Sequence, residues 1–379
     1  MGALAVLTSG CQVTRVLKEP IPASAPVGVR DERIERVGGV IRETMRKHGI
    51  PGLSVAVIDH GELVWAQGFG WRDVGNRLPV DTETQFQAGS ISKPVTALGV
   101  LGLNASGKVD LDTDVNSYLK DWHLNSKFTN GPVTLRELLC HRAGMVPHGF
   151  LGFSESTRPH SLDEVLNSRD IFSGWLTAHY FGPIEVLYPP GSRFQYSGGG
   201  YCVVQKALQD VTGEPFEAAM AALVLGPLRM SRSHFQQPPL ETENTAHGYG
   251  PLRGIVSRGR WPVYPEQAPA GLWSTPQDLA RMIIAVQKAE AGEISGPISP
   301  AMAHEFLKPP YDGWQGIGVR LGGDGRHRSF YHAGETLGYF ARFGAGVSDG
   351  RGLVIMSNAK KNRFGAIEKE IAKEFGWAP

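Results

Sequence analysis

Cysteine is scarce in this chain. Its three copies in 379 residues, Cys11, Cys140 and Cys202, are too few and too scattered for a disulfide framework or a zinc site. The histidines show no paired ligand spacing, which sets a metalloenzyme aside and gives no reason to expect a metal or cofactor. No apolar run approaches the roughly 18 residues of a membrane-spanning helix. An excess of one charge is also missing: 38 Lys and Arg meet 37 Asp and Glu, and the basic residues are spread along the chain. Neither nucleic acid nor an anionic membrane surface is therefore an expected partner. Low-complexity tracts and solenoid-length repeats are absent. No nucleophile elbow of the form Gly-x-Ser-x-Gly follows a strand, which argues against an α/β-hydrolase. What remains is a globular chain long enough for one large or two intimately packed domains.

The ends of the chain carry the clearest periodicity. Asp31 to His48 places Ile34, Val37, Ile41 and Met45 at helical spacing, which predicts an amphipathic helix packed on a flat partner. Two strand-like runs follow, Leu53 to Ile58 and Glu62 to Ala66, and Asp59-His60-Gly61 between them reads as a tight hairpin. Near the other end, strand-like segments at about 314–321, 337–347 and 352–357 precede a last amphipathic helix carrying Phe364, Ile367, Ile371 and Phe375. The economical assembly is α+β: an antiparallel sheet built from both chain ends, flanked by the N- and C-terminal helices. It comprises residues 31–94 and 266–379. Residues 95–265 read as an inserted, mostly helical lobe. Residues 1–30 read as a tether behind a lipoprotein-like start, because Leu7-Thr8-Ser9-Gly10-Cys11 resembles a cleavage box in which the cysteine is lipidated. That reading favours a periplasmic or lipid-anchored protein over a cytoplasmic one. Cys140 and Cys202 read as small buried hydrophobes.

At the seam between the two parts lies Gly89-Ser90-Ile91-Ser92-Lys93-Pro94, followed by an apolar, Gly-rich run. Pro94 fits the first turn of a helix. Residues i and i+3 share a helix face with Cβ atoms roughly 5–6 Å apart, so Lys93 can reach the Ser90 hydroxyl. Ser117–Lys120 and Ser357–Lys360 repeat the spacing, but the first lies in a polar segment and the second at a strand end, where a separation of three puts the side chains on opposite faces. From spacing and context two readings stand: a nucleophile beside its base, or a helix-cap serine with a solvated lysine. Serine attack on a carbonyl also needs an acid for the leaving group and donors for an oxyanion. Tyr196, before Ser197 and three glycines, and His332, in Tyr331-His332-Ala333-Gly334-Glu335, are candidates. Alone, a tyrosine such as Tyr196 is more often a packed loop aromatic and a histidine such as His332 more often a satisfied strand histidine.

In this order the segments match a known pattern. Ser90-Ile91-Ser92-Lys93, Thr134 to Met145, Tyr196-Ser197-Gly198, Ala270 to Leu279 and His332-Ala333-Gly334 make the chain, from about 32 to 375, similar to the penicillin-binding protein and serine β-lactamase superfamily. Specifically, the chain resembles the branch of class C β-lactamases, DD-peptidases, D-aminopeptidases and family VIII carboxylesterases. The resemblance implies the β-lactamase/transpeptidase-like fold. It also implies that Ser90 is acylated, Lys93 is a base, and Tyr196 shuttles the leaving-group proton. Lysine accepts a proton only when neutral, whereas its cation would help ionise the phenol, so the pair should titrate as a coupled unit. The oxyanion hole would be the N–H groups of Ser90 and Glu335. Gly334, His332 and Gly198 would contact substrate, Gly334 because a missing Cβ lets substrate lie against the strand.

Two departures shape the expected substrate. The third position of the tyrosine motif is usually an asparagine that holds a substrate acylamide, and here it is Gly198. The first position of the strand motif is often a lysine matched to a carboxylate, and here it is His332. Efficient β-lactam hydrolysis is disfavoured. The leading expectation is a carboxylesterase-type serine hydrolase acting on small esters or amides. A D-amino-acid or DD-peptidase, a weak β-lactamase, and a catalytically silent homologue that binds peptidoglycan or a partner are the alternatives.

Overall fold

Helix α1, Glu32–His48, forms where the apolar spacing requires it. Asp31 caps its N-terminus by accepting from the Arg33 N–H, and Gly49, at φ 67°, ends it in the left-handed conformation that glycine tolerates. In the computed structural model, which describes residues 13–129, 131–154, 160–167, 183–239, 244–250 and 260–377, α1 packs on one face of an antiparallel sheet. The strands are β1 (Val27–Gly28), β2 (Gly52–Asp59), β3 (Glu62–Asp73), β4 (Leu78–Pro79), β5 (Arg320–Gly322), β6 (Ser329–Thr336), β7 (Tyr339–Gly346) and β8 (Gly352–Ser357). Their order is β1-β3-β2-β8-β7-β6-β5, with β4 on β3. The two chain ends meet at the centre, where Val55 opposes Ile355. The β2–β3 hairpin turns through His60 and Gly61, both at positive φ (51° and 72°), the geometry that matches strand twist.

Strand alternation divides β2 between two cores. Leu53, Val55 and Val57 join Ile34, Val37 and Ile41 of α1 and Ile367 and Ile371 of the helix Gly365–Glu374. Ala56 and Ile58 face the opposite layer, where the helix Pro276–Glu290 buries Leu279, Met282, Ile283 and Val286. Both faces are covered, so the strand reads as a continuous apolar run instead of an alternating one. The terminal helices are joined by Arg36, which donates to both carboxylate oxygens of Glu374 at 3.0 and 2.7 Å. On the second face one apolar cluster continues into the helix Ser92–Ala105, buried nearly all round, and the helix Gly198–Thr212.

Two expectations are revised. Residues 13–28 are not a free tether: Val13, Val16, Leu17 and Ile21 are buried, and Ser24 donates its N–H to the Gly68 carbonyl while its hydroxyl accepts from the Gly68 N–H. They strap the outer edge of β3. The expected 314–321 strand is only the short β5, and the strand motif of His332 and Gly334 lies inside β6, a strand outside the three segments expected near this end. Cys11 lies outside the described residues. Among the described residues no helix is long and apolar enough to cross a membrane, and Cys140 and Cys202 are buried free thiols.

Candidate active site

Ser90 sits in a single 3-10 turn, Gly89–Ile91, that runs directly into the helix Ser92–Ala105. The turn is clamped from two sides. The Ser92 hydroxyl donates to the Gly89 carbonyl at 2.6 Å and accepts from the Leu272 N–H at 3.0 Å. On the other side β6 crosses it backbone to backbone. A Cβ on Gly334 would lie 1.8 Å from the Ala88 oxygen and 2.9 Å from the Ser90 nitrogen, and one on Gly89 would lie 2.7 Å from the Glu335 nitrogen. The glycine at 334 therefore has a structural purpose besides lining the cleft. It lets the strand meet the serine turn itself, bringing the Ser90 and Glu335 amides to the same place.

Lys93 is 2% exposed. Its Nζ lies 3.1 Å from Ser90 Oγ and donates to the Pro269 carbonyl at 2.9 Å. It also sits 4.9 Å from the centre of the Tyr196 ring. The structure thus brings Ser90, Lys93 and Tyr196 together from segments over a hundred residues apart. Ser197 caps the helix Gly198–Thr212 by accepting from the Gly200 N–H. The Gly198 and Gly199 amides donate to the carbonyls of His148 and Pro147 at 3.0 and 3.1 Å. A Cβ on Gly199 would lie 2.3 Å from the Val146 oxygen, so the glycines exist to admit the 146–149 segment.

That segment and its neighbours supply histidines to which the sequence reading gave no role. Tyr196 is held between His141 and His148, with ring centres 4.2 and 4.8 Å away. His141 Nδ1 accepts from the Ser197 N–H at 3.1 Å, so the neutral ring carries its hydrogen on Nε2, which is buried without a partner. Burial, and next to it the nearby charge of Lys93, lower the pKa of both rings below the ordinary histidine value. His332 is pushed down to about 3 by burial first and by Lys93 second. Its Nδ1 lies 2.8 Å from the Ala333 carbonyl, which only accepts, so that nitrogen holds the hydrogen. Along β6 the side chains alternate, with His332 and Gly334 inward and Ala333 and Glu335 exposed. Among the described residues lining the cleft are Ala333, Gly334 and Glu335, but not His332. The expected substrate contact at His332 is thus displaced beneath the site.

The cleft itself measures about 610 Å³, with Ser90, Lys93, Tyr196, Gly198, Arg320 and Lys360 in its walls. At its rim Glu335 and Lys360 pair at 2.8 Å. Lys360 belongs to the Ser357–Lys360 pair: Ser357 is buried, donating to the Phe340 and Ala359 carbonyls, while Lys360 reaches the cleft. Only assembly of the sheet could have revealed that. His141, by contrast, lay within the Thr134 to Met145 block and carried a signal there. Beside the Pro269 carbonyl's short helix, Glu266 is buried with Oε2 unpartnered, and burial raises its carboxyl to about 7.

The sequence profile of the beta-lactamase family matches residues 37–375. The chain belongs to the beta-lactamase family. Within this group it is 26% identical over 242 residues to protein flp of Staphylococcus aureus strain N315, covering 64% of this chain and 45% of that protein. It is 28% identical over 256 residues to a beta-lactamase of Escherichia coli K12, covering 66% and 61%. The chain thus spans about half the length of the first of these curated relatives. Among solved structures, the octameric penicillin-binding protein homologue from Pyrococcus abyssi superposes with a TM-score of 0.69 at 25% identity, over 90% of this chain and 77% of that one. FmtA from S. aureus gives 0.70 at 18% identity, over 98% and 97%, a likeness of fold. The antiparallel sheet with flanking helices is thus that of the beta-lactamase and penicillin-binding protein superfamily.

Proposed function

We propose that this protein is a serine hydrolase that cleaves carboxylic esters through an acyl-enzyme on Ser90. The observation that carries the reading is the 3.1 Å approach of Lys93 Nζ to Ser90 Oγ at the point where β6 meets the serine turn. In the first step the Ser90 Oγ–H proton passes to Lys93 Nζ, the base of this mechanism, as the Oγ–C bond forms, and the carbonyl oxygen becomes an oxyanion accepting from the Ser90 and Glu335 N–H groups. The C–O bond of the ester then breaks, and the departing alkoxide takes the proton through Tyr196 and Lys93. Water attacks the acyl-enzyme by the reverse proton path, releasing the acid and restoring the serine. Esters are favoured over β-lactams because their leaving group demands less positioning and Gly198 offers no side-chain amide.

The test is turnover and intact mass with a p-nitrophenyl ester, a D-Ala-D-Ala peptide and a cephalosporin in parallel, with fluorophosphonate labelling. The wild type should label and hydrolyse the ester with the highest kcat/KM, and Ser90→Ala should do neither. Labelling that persists in Ser90→Ala would move the nucleophile elsewhere. A cephalosporin kcat/KM at or above the ester value would overturn the ester reading.

A further inference from the structure

Gly198 is not an empty place. A Cβ there would meet Phe150 Cε2 at 3.0 Å, the His148 oxygen at 3.2 Å and the Gly149 Cα at 3.4 Å. The Phe150 ring edge therefore packs so closely on Gly198 that a side chain at 198 would have to displace it by a few tenths of an ångström. The segment that carries Phe150 is fixed, since Gly198 and Gly199 donate to its His148 and Pro147 carbonyls, the Ser197 hydroxyl donates to Pro147, and Tyr264 donates to Leu151 at 3.4 Å. Phe150, Leu151, Tyr264 and Leu337 give the cleft an apolar wall, and Leu151 keeps 49% of its surface exposed. Arg320, Glu335 and Lys360 supply its charged lining.

We propose that Phe150 and Gly198 act as one device that selects the acyl group, favouring a short aliphatic chain laid on this wall and setting its length. The inference rests on the acyl-enzyme reading above. The acyl portion is the part concerned because it stays on Ser90 through both steps, whereas the alcohol leaves after the first. Only contacts to the acyl group can serve deacylation as well. A methyl group added at 198 must push the Phe150 ring into the space the chain would use, and a shortened residue 150 must lengthen that space.

The experiment measures kcat/KM on p-nitrophenyl esters from acetate to decanoate, and on acetate esters of varied alcohols, for wild type, Phe150→Ala, Phe150→Leu, Gly198→Ala and the Phe150→Ala/Gly198→Ala double variant. Phe150→Ala should raise the decanoate-to-butyrate ratio by about tenfold or more, the scale of a single methylene in an apolar pocket, with Phe150→Leu between it and wild type. Gly198→Ala should lower butyrate turnover by about tenfold in the wild-type background and by less than about threefold when Phe150 is already Ala, a coupling expected of residues in contact. Unchanged chain-length preference in both Phe150 variants, additive effects in the double variant, or a response confined to the alcohol series would overturn the proposal. Absence of any ester turnover or labelling in the wild type would instead remove the acyl-enzyme reading on which it stands.

Discussion

Glu266 offers a perturbation whose size can be worked out in advance. Its carboxyl is 3% exposed, Oε2 has no partner, and burial raises it to about 7 from an ordinary value of 4.5. Below pH 4.5 the group is protonated in both folded and unfolded chains and adds no pH dependence. Above that, the unfolded chain releases the proton while the fold retains it, so stability falls with rising pH and levels off once the folded group ionises near 7. The interval from 4.5 to about 7, at about 1.4 kcal/mol per pH unit, sets a ceiling of about 3 kcal/mol. Glu266→Gln removes the titration while keeping size and polarity, and its unpaired amide costs the same at every pH. Guanidinium unfolding of both proteins at pH 5, 6, 7 and 8 isolates the effect, since the histidine contributions cancel in the difference. The variant should gain on wild type between pH 5 and 7 by up to about 3 kcal/mol and hold that gain at pH 8. A difference independent of pH would refute the argument, and a gain appearing as pH falls would reverse its sign.

Gly334→Ala should lower kcat/KM by at least about 100-fold with the far-ultraviolet dichroism unchanged, because the new methyl would lie 1.8 Å from the Ala88 oxygen and force apart the Ser90 and Glu335 amides, the oxyanion donors of the proposed mechanism. Gly39→Ala is its counterpart on α1, with nothing within 4 Å, and should stabilise the protein by about 0.5–1 kcal/mol in a denaturant titration without touching catalysis. His332→Asn should leave the shape of the kcat/KM profile between pH 5.5 and 8 unchanged, because burial already keeps the ring neutral there with a pKa of about 3. A limb near pH 6–7 that disappears in this variant would show that His332 does titrate.

Local patterns made much of this structure legible. The apolar spacing of Ile34, Val37, Ile41 and Met45 specified α1, and His60-Gly61 specified the hairpin, because each depends on neighbours within a few residues. Ser90 and Lys93 were readable for the same reason, as one turn of chain determines their separation. What escaped the sequence depends on distant partners. The strap at 13–28 looks like a linker until Gly68 is beside Ser24, and the 314–321 run is apolar without being paired over most of its length. The stacking of His141 and His148 on Tyr196 follows from where the 146–149 segment meets a helix start some fifty residues later. His332 appeared to face substrate because its motif was readable but its strand phase was not.

The central pairing of β2 with β8 also governs how the molecule comes into being. A chain made from its N-terminus completes β2 at Asp59, yet its neighbour begins only at Gly352. At about 5–20 residues per second that strand waits on the order of 15–60 s with an unpaired edge. The amide of Glu335, which must stand beside Ser90, emerges late in the same interval. Nascent chains and forms shortened to before β6 therefore carry Ser90 and Lys93 without the strand that brings the Glu335 amide to them. The exposed apolar edge of β2 makes the unfinished chain dependent on whatever shields it until β8 has been made.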